Sequence, residues 1–407
     1  MKKSRIFALM LVLVMCSSNI VFATSLAASS DNNVGVHNIR KVLRMPRGTI
    51  TPDVTFEFKA EKVSLNENTS DAARNRMPEL NTANLTVSFS QSDRNEPVNN
   101  IISLTKETGN IFEGVNFENG GVYVYRISER DDTNDAIEDN PNELLYYSKA
   151  VYNIEVHVDE DLKIKGVAIR VEAEDRLENS PKVSDKVVQM VFTNDFVRTN
   201  VTTDPINNST LYIGSNVSGN IADRTRFFQF NMTVNAAPLL VGEDIPAFYK
   251  AYVVENNAVI HPGENADASI LGTADGTTFI RISTSGTTRF GLRHGQRLVF
   301  VDTPVGTSYT TIGLATEGHI PGVVVTTNNV VVFELQEEEP NVELSTELRW
   351  VGELLNRAVF TNSRTSVVPT GVNINDMPFF GLVALPLGAL IAFVGIKSRR
   401  KNDESCK

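Results

Sequence analysis

Cysteine is nearly absent from this 407-residue sequence, and its two cysteines, Cys16 and Cys406, lie near the ends. Histidine is also scarce, and the five histidines show no metal-ligand spacing. The sequence contains no nucleophile-elbow motif either. We therefore expect no metal, no cofactor and no enzyme acting on an external substrate, which argues against a secreted hydrolase. The histidines are His37, His157, His261, His294 and His319.

Basic residues are too few to balance the acidic ones, and the formal net charge is −11. If residues 1–27, with three basic residues, and the tail from Gly371, with five basic and three acidic residues, are removed, the remainder carries −16. This charge disfavours nucleic acid and anionic membrane surfaces as partners. Lysine is especially rare in the second half, where Lys250 is the only one between residues 200 and 366.

A long hydrophobic run is missing until the C-terminal region. Residues 377–396 carry no charge and have about the 20 residues that a helix needs to cross a bilayer. Residues 397–407 begin with a basic cluster, which the positive-inside tendency would keep cytoplasmic. Upstream lies VVPTG, residues 367–371, formed by Val367, Val368, Pro369, Thr370 and Gly371. The whole arrangement resembles a Gram-positive cell-wall sorting signal, in which a sortase would cleave between Thr370 and Gly371. The alternative is a permanent membrane anchor.

The N-terminal residues have the pattern of a secretory signal peptide, which we assign to residues 1–27. Three basic residues precede the apolar stretch 6–15, and small residues end at Ala23 or Ala27. Both cysteines then lie in segments that processing removes. An extracellular chain without disulfides needs a large core or another crosslink.

The central region is predicted to be all β. Alternating stretches separated by turn residues begin near Lys41 and continue to residue 362, and helical periodicity is absent before residue 377. The sequence VFTN ends two series of predicted strands, at 191–194 and 359–362. We therefore predict two tandem immunoglobulin-like β-sandwich domains, 34–198 and 208–365, forming an elongated chain.

Three polar residues end apolar rows in the first predicted domain. Lys41 shares a face with Ile39 and Leu43 at the start of the first predicted strand. Glu129 follows Tyr123, Tyr125 and Ile127, and Asn194 follows Val188, Met190 and Phe192. Buried lysine and glutamate favour their neutral forms, and a neutral amine can attack a carboxamide. The product would be a Lys–Asn isopeptide bond with loss of ammonia. The simpler alternative is a surface lysine, a solvated glutamate and a turn asparagine.

GVYVYRISE, the lysine in the first strand and FTN in the last strand resemble the domains of Gram-positive backbone pilins of the group A streptococcal T-antigen type. The resemblance extends from the signal peptide to the tail. It implies that Lys41 is the nucleophile, Glu129 the proton shuttle and Asn194 the acceptor. The second predicted domain departs from the pattern: it keeps Asn362, but Ser215 and Gly313 occupy the lysine and glutamate positions. We therefore expect no crosslink there.

The same resemblance implies assembly into a covalent pilus. A class C sortase would transfer Thr370 of one subunit to a lysine of the next, for which Lys186 and Lys182 are the candidates, and a housekeeping sortase would attach the chain to peptidoglycan. The expected partners are these sortases, neighbouring pilin subunits, peptidoglycan and a host surface ligand, with the precursor held transiently in the plasma membrane. The alternative is a monomeric wall-anchored adhesin or binding module.

Overall fold

The computed structural model describes residues 37–365 except 135, 136, 138, 200, 203, 208 and 209. Within this part of the chain, no helix is long and apolar enough to span a membrane. The predicted signal peptide, the VVPTG motif, the hydrophobic span and the basic tail lie outside the described residues.

The first part of the chain forms two facing sheets whose strands are mostly antiparallel. A four-stranded sheet has the order β4-β1-β10-β6, and a six-stranded sheet has the order β3-β2-β5-β7-β8-β9. A short helix α1 (Asp71–Arg74) and a 3-10 turn (Thr82–Asn84) follow β2. The strands are β1 (Ile39–Pro46), β2 (Val54–Leu65), β3 (Thr86–Phe89), β4 (Ile101–Glu107), β5 (Gly121–Glu129), β6 (Glu143–Tyr146), β7 (Val151–Val158), β8 (Ile164–Ala173), β9 (Lys186–Val187) and β10 (Met190–Arg198).

The second part forms a nine-stranded sheet, ordered β15-β16-β13-β18-β11-β24-β20-β21 with β14 beside β13, and a five-stranded sheet, ordered β17-β12-β19-β22 with β23 beside β19. The 3-10 turns are Gly242–Asp244, Gly263–Asn265 and Ala268–Ile270. The strands are β11 (Leu211–Ser218), β12 (Phe228–Asn235), β13 (Phe248–Glu255), β14 (Ala258–Ile260), β15 (Leu271–Ala274), β16 (Thr277–Ser283), β17 (Thr287–Leu292), β18 (Arg297–Phe300), β19 (Ser308–Gly313), β20 (Ile320–Thr327), β21 (Val330–Gln336), β22 (Leu344–Ser345), β23 (Arg349–Trp350) and β24 (Arg357–Ser363).

Period-two alternation explains why these segments are strands. In β5, Tyr123, Tyr125 and Ile127 are at most 1% exposed, while the residues between them are partly exposed. Each sandwich has its own large apolar core, so burial can stabilise both without disulfides. The all-β prediction is confirmed. The domain limits 34–198 and 208–365 stay a prediction.

In both sandwiches the first strand lies beside the last strand, and the two are parallel. Strand β1 pairs with β10, and β11 pairs with β24. Each pair joins chain segments that are far apart in the sequence. A link across either pair would therefore close a loop around almost the whole sandwich.

Two apolar-rich stretches of the sequence, 187–194 and 322–335, are not single strands in the structure. The run 187–194 is broken, because β9 ends at Val187 and β10 begins at Met190, and the fully exposed Val188 is not on the buried face. The run 322–335 is a hairpin of β20 and β21. Its two turn residues, Asn328 and Asn329, have φ of 50° and 64°, as a type I′ turn requires.

The two sandwiches meet where β10 ends. Arg198 binds Glu143 at 2.7 Å within the first sandwich and Glu353 at 2.6 Å in the second. Beside this ion pair, the buried side chains of Val197, Ala237 and Leu240 form a small apolar cluster. Strand β10 therefore leads directly from the first core into a packed joint.

Candidate crosslinking site

The three residues predicted to react come from both sheets of the first sandwich. In the parallel pair of β1 and β10, Lys41 lies opposite Phe192 and Leu43 lies opposite Asn194. Because these pairs are two residues apart, the side chains of Lys41 and Asn194 point to the same interior face. Glu129, at the end of β5, reaches them from the facing sheet.

Direct hydrogen bonds connect the three side chains. The Nζ of Lys41 lies 2.5 Å from Oε1 of Glu129, and the Nδ2 of Asn194 donates to the same oxygen at 2.9 Å. The backbone N–H of Ser148 donates to Oδ1 of Asn194 at 2.8 Å and reaches Oε2 of Glu129 at 3.3 Å. One carboxyl oxygen thus touches both the amine and the amide nitrogen.

The site is closed to water. The side chains of Lys41 and Glu129 are both 0% exposed, and so is Asn194. The ring of Phe56 lies 4.3 Å from the Lys41 Nζ, and Phe192 packs beside it in the same core. The surrounding groups are mostly apolar, so the site strongly disfavours isolated charge.

Burial shifts both titrating groups towards their neutral forms. It lowers the pKa of Lys41 from 10.5 to about 8, against the opposing attraction of the Glu129 carboxylate. Burial also raises the pKa of Glu129 above its usual value of 4.5, against the opposing effects of Lys41 and Asn194. A neutral amine and a protonated acid are the forms that nucleophilic attack on a carboxamide requires.

Sequence reasoning missed the polar groups behind this site. Asp175 follows β8, and its carboxylate accepts from Ser148 Oγ at 2.9 Å and from the backbone N–H of Thr193 at 3.3 Å. Both Asp175 and Ser148 lie between strands, where no periodic pattern marks them. Their involvement follows only from the fold.

A buried cluster of ion pairs also joins β1 and β10 at one end of their pairing. Asp195 is 1% exposed, accepts two bonds from Arg44 at 2.6 and 2.7 Å, and lies 2.7 Å from Arg176. The sequence offered a pointer to Asp195, because this residue directly follows the candidate Asn194 on a predicted strand. Pairing with two arginines satisfies a carboxylate that would otherwise be costly to bury.

The second sandwich has the same framework with different residues. Ser215 lies opposite Phe360 just as Lys41 lies opposite Phe192, and Asn362 lies two residues further along β24. Gly313 lies opposite Phe230 on β12, as Glu129 lies opposite Phe58 on β2. The register thus places serine and glycine where the first sandwich has lysine and glutamate.

Lys250 is not part of this second framework. It lies on β13, which is separated from β11 by β18. Its backbone N–H donates to Asp302 at 3.1 Å. Burial raises the pKa of that carboxyl to about 6.

The two candidate inter-subunit lysines lie away from the buried site. Lys186 is exposed on the short edge strand β9, where it pairs with Arg170 of β8. Lys182 is exposed in the preceding turn, and its Nζ lies 2.9 Å from Glu174. Among residues 37–365 with the stated gaps, no cluster of potential ligands could hold a metal ion.

Comparisons with known proteins give one family match and one curated relative at the sequence level. Residues 37–197 match the family described as FctA, a Spy0128-like isopeptide containing domain. A pilin of Streptococcus pyogenes serotype M1 is 25% identical over 354 residues, which are 86% of each chain.

Solved structures of streptococcal pilins give further matches. The major pilin of Streptococcus pyogenes is 20% identical, with 82% of this chain and 100% of that chain covered and a TM-score of 0.30. The T-13 major pilin of the same species is 17% identical, with 82% and 98% covered and a TM-score of 0.30. The sequence matches are to an isopeptide containing domain and to a pilin. The resemblance to Gram-positive backbone pilins is confirmed by these sequence matches, in which the match to the Spy0128-like isopeptide containing domain covers residues 37–197.

Proposed function

We propose that this chain is a structural subunit of a covalent surface pilus, and that its first sandwich is locked by a self-formed isopeptide bond between Lys41 and Asn194. The observation that carries the proposal is the single Glu129 oxygen in contact with both Lys41 Nζ and Asn194 Nδ2 inside a closed apolar core. A surface lysine and a turn asparagine would not be buried beside a carboxyl group.

The reaction needs no external reagent. The neutral Nζ of Lys41 attacks Cγ of Asn194, Glu129 passes a proton from the attacking nitrogen to Nδ2, and the C–N bond breaks to release ammonia. Amine and carboxamide thus become a secondary amide and ammonia, and Glu129 is unchanged. The fold supplies the rate by holding the reactants together, which replaces a slow bimolecular encounter.

The bond would join β1 to β10 and close a loop of about 150 residues. If the closure acts like a disulfide on the unfolded chain, it stabilises the sandwich by roughly 4–5 kcal/mol. Unlike a disulfide, the amide is insensitive to redox conditions. This suits a cell-surface protein that has no cysteine between residues 28 and 370.

The intact mass of the fragment Ala28–Thr370 tests the crosslink. We expect the wild-type mass to be lower than calculated by one ammonia, and Glu129→Ala to restore the calculated value. A mass deficit of two ammonias would mean that the second sandwich also reacts. A wild-type fragment with no deficit would rule out the isopeptide.

For assembly, we propose that a pilin sortase cleaves Thr370–Gly371 and joins Thr370 to Lys186 or Lys182 of the next subunit, and that the finished polymer is attached to the cell wall. The exposure of both lysines supports this. Incubating the chain with a class C sortase should give a ladder of multimers, which the matched changes Lys186→Arg and Lys182→Arg test separately. Monomers only, in every variant, would favour the wall-anchored adhesin.

A further inference from the structure

The oxygen of the Asn194 carboxamide has its own donor. The backbone N–H of Ser148 lies 2.8 Å from Oδ1, while Nδ2 of the same group is bound to Glu129 at 2.9 Å. Both ends of the reacting amide are therefore held, with the departing nitrogen beside the acid and the oxygen beside a backbone donor. Negative charge develops on this oxygen during attack, and a preorganised N–H stabilises such charge.

The segment that carries this donor is anchored by Asp175. One carboxylate oxygen accepts from Ser148 Oγ at 2.9 Å and from Thr193 N–H at 3.3 Å, and the other accepts from Lys149 N–H at 3.1 Å. Thr193 directly precedes Asn194 on β10. A single carboxylate therefore ties the segment of the donor to the strand of the acceptor.

We propose that the Ser148 backbone N–H is the oxyanion donor in isopeptide formation and that Asp175 is the residue that positions it. The inference rests on the proposed function. When Lys41 Nζ bonds to Cγ of Asn194, the C=O π electrons move onto Oδ1, and the Ser148 N–H stabilises this charge. The electrons return as the C–N bond breaks and Glu129 delivers the proton with which Nδ2 leaves as ammonia.

The dependence of the crosslinking rate on pH distinguishes the positioning role of Asp175 from a purely structural role in the fold. The charged groups that act on Lys41 are Glu129 and Asp175, which raise the pKa of Lys41, and Arg176, which lowers it. Removing the Asp175 charge from an intact site should move the limb of the rate profile that Lys41 sets to lower pH, because that charge raises the pKa of Lys41. If the change instead opens the site to water, the pKa of Lys41 should rise towards 10.5, because its burial is lost.

The experiment follows ammonia loss in the full fragment Ala28–Thr370 during cell-free synthesis, with acid quenching and intact-mass measurement at each time and pH. Asp175→Ala should slow crosslinking by at least about tenfold, since removing an oxyanion donor outright costs roughly 100- to 1,000-fold. Asp175→Asn should shift the limb of the rate profile that Lys41 sets to lower pH. Asp159→Ala is the matched control, because Asp159 also accepts a backbone N–H, that of Lys163, but lies outside the site.

The outcomes distinguish this inference from the proposed function. No ammonia loss in the wild type would remove the isopeptide itself. A wild type that reacts, beside Asp175 variants that react equally fast or whose limb moves to higher pH, would overturn the role of Asp175. If Asp175→Ala does not fold, Ser148→Ala provides the test. This variant keeps the backbone N–H but loses the Oγ hydrogen bond to Asp175, so it should slow crosslinking. Ser148→Thr, which keeps a hydroxyl, should restore the rate. An unchanged rate in Ser148→Ala would also overturn the proposal.

Discussion

The two sandwiches share a framework and differ in the groups placed on it. Both have a parallel pair of first and last strands, and both last strands contain FTN in the same register. The first has Lys41 and Glu129 at the positions where the second has Ser215 and Gly313. The strand pairing is therefore maintained without the lysine and the glutamate, two side chains that the fold itself does not require.

In the second sandwich, aromatic rings lie close to the position of Gly313. A Cβ on Gly313 would lie 3.1 Å from Cδ1 of Phe360, and Phe360 packs against Phe230 with ring centroids 5.1 Å apart. The hydroxyls of Ser215 and Thr311 are buried, and neither has a hydrogen-bond partner. The first sandwich has the same aromatic pair, since the rings of Phe58 and Phe192 are 4.9 Å apart. The second sandwich therefore differs in lacking the reactive groups and in leaving a few buried hydroxyls unsatisfied.

Mechanical extension should show the largest difference. Force entering the first sandwich would pass along β1 to Lys41, cross the amide to Asn194 and leave along β10. In the second sandwich, force would enter β11 and leave β24 at opposite ends of a parallel pair, so that its hydrogen bonds are sheared together. We expect one unfolding event of roughly 500 Å per chain, from about 150 released residues.

Single-molecule pulling between the termini of the fragment Ala28–Thr370 measures this extension. Glu129→Ala, which cannot form the bond, should add a second event of similar length. Two unfolding events in the crosslinked wild type, or none, would contradict the expectation that only the second sandwich unfolds under force.

Thermal stability should show the next largest effect, confined to the first sandwich. Without the bond, Glu129→Ala should lose roughly 4–5 kcal/mol, equivalent to a fall in Tm of about 10–20 °C for a domain of this size. Calorimetry of the fragment should show one transition moving while the transition of the second sandwich stays. A shift of both by the same amount would mean that the joint at Arg198 couples their unfolding.

A lower pH should raise the stability of the second sandwich, whereas the preceding change, Glu129→Ala, lowers the stability of the first. Burial raises the pKa of Asp302 to about 6, so the folded second sandwich binds a proton more tightly than the unfolded chain does. Its stability should increase as the pH falls from 7 to about 4, by on the order of 2–3 kcal/mol. Urea unfolding at several pH values measures this, with Asp302→Asn as the control that removes the dependence.

The framework could be predicted from the sequence better than the surroundings of the site. Alternation marked most strands, and apolar rows containing Lys41, Glu129 and Asn194 indicated the three side chains that the structure brings into contact. Ser148 and Asp175 could not be found in this way, because they lie in connections whose position depends on both sheets. The break at Val188 was missed because the apolar alternation continues through it, although the chain leaves the sheet there.

The smallest effect should come from the remaining asparagine of the second sandwich. Asn362 is 7% exposed on β24, but neither a lysine nor a glutamate occupies the corresponding positions. Asn362→Ala should therefore leave the intact mass deficit of the fragment at one ammonia and lower stability by about 1 kcal/mol. The matched Asn194→Ala should abolish the deficit. Peptide mapping supplies the opposite test, since a Lys250–Asn362 linkage would show that the second sandwich has its own crosslink, formed from a different strand.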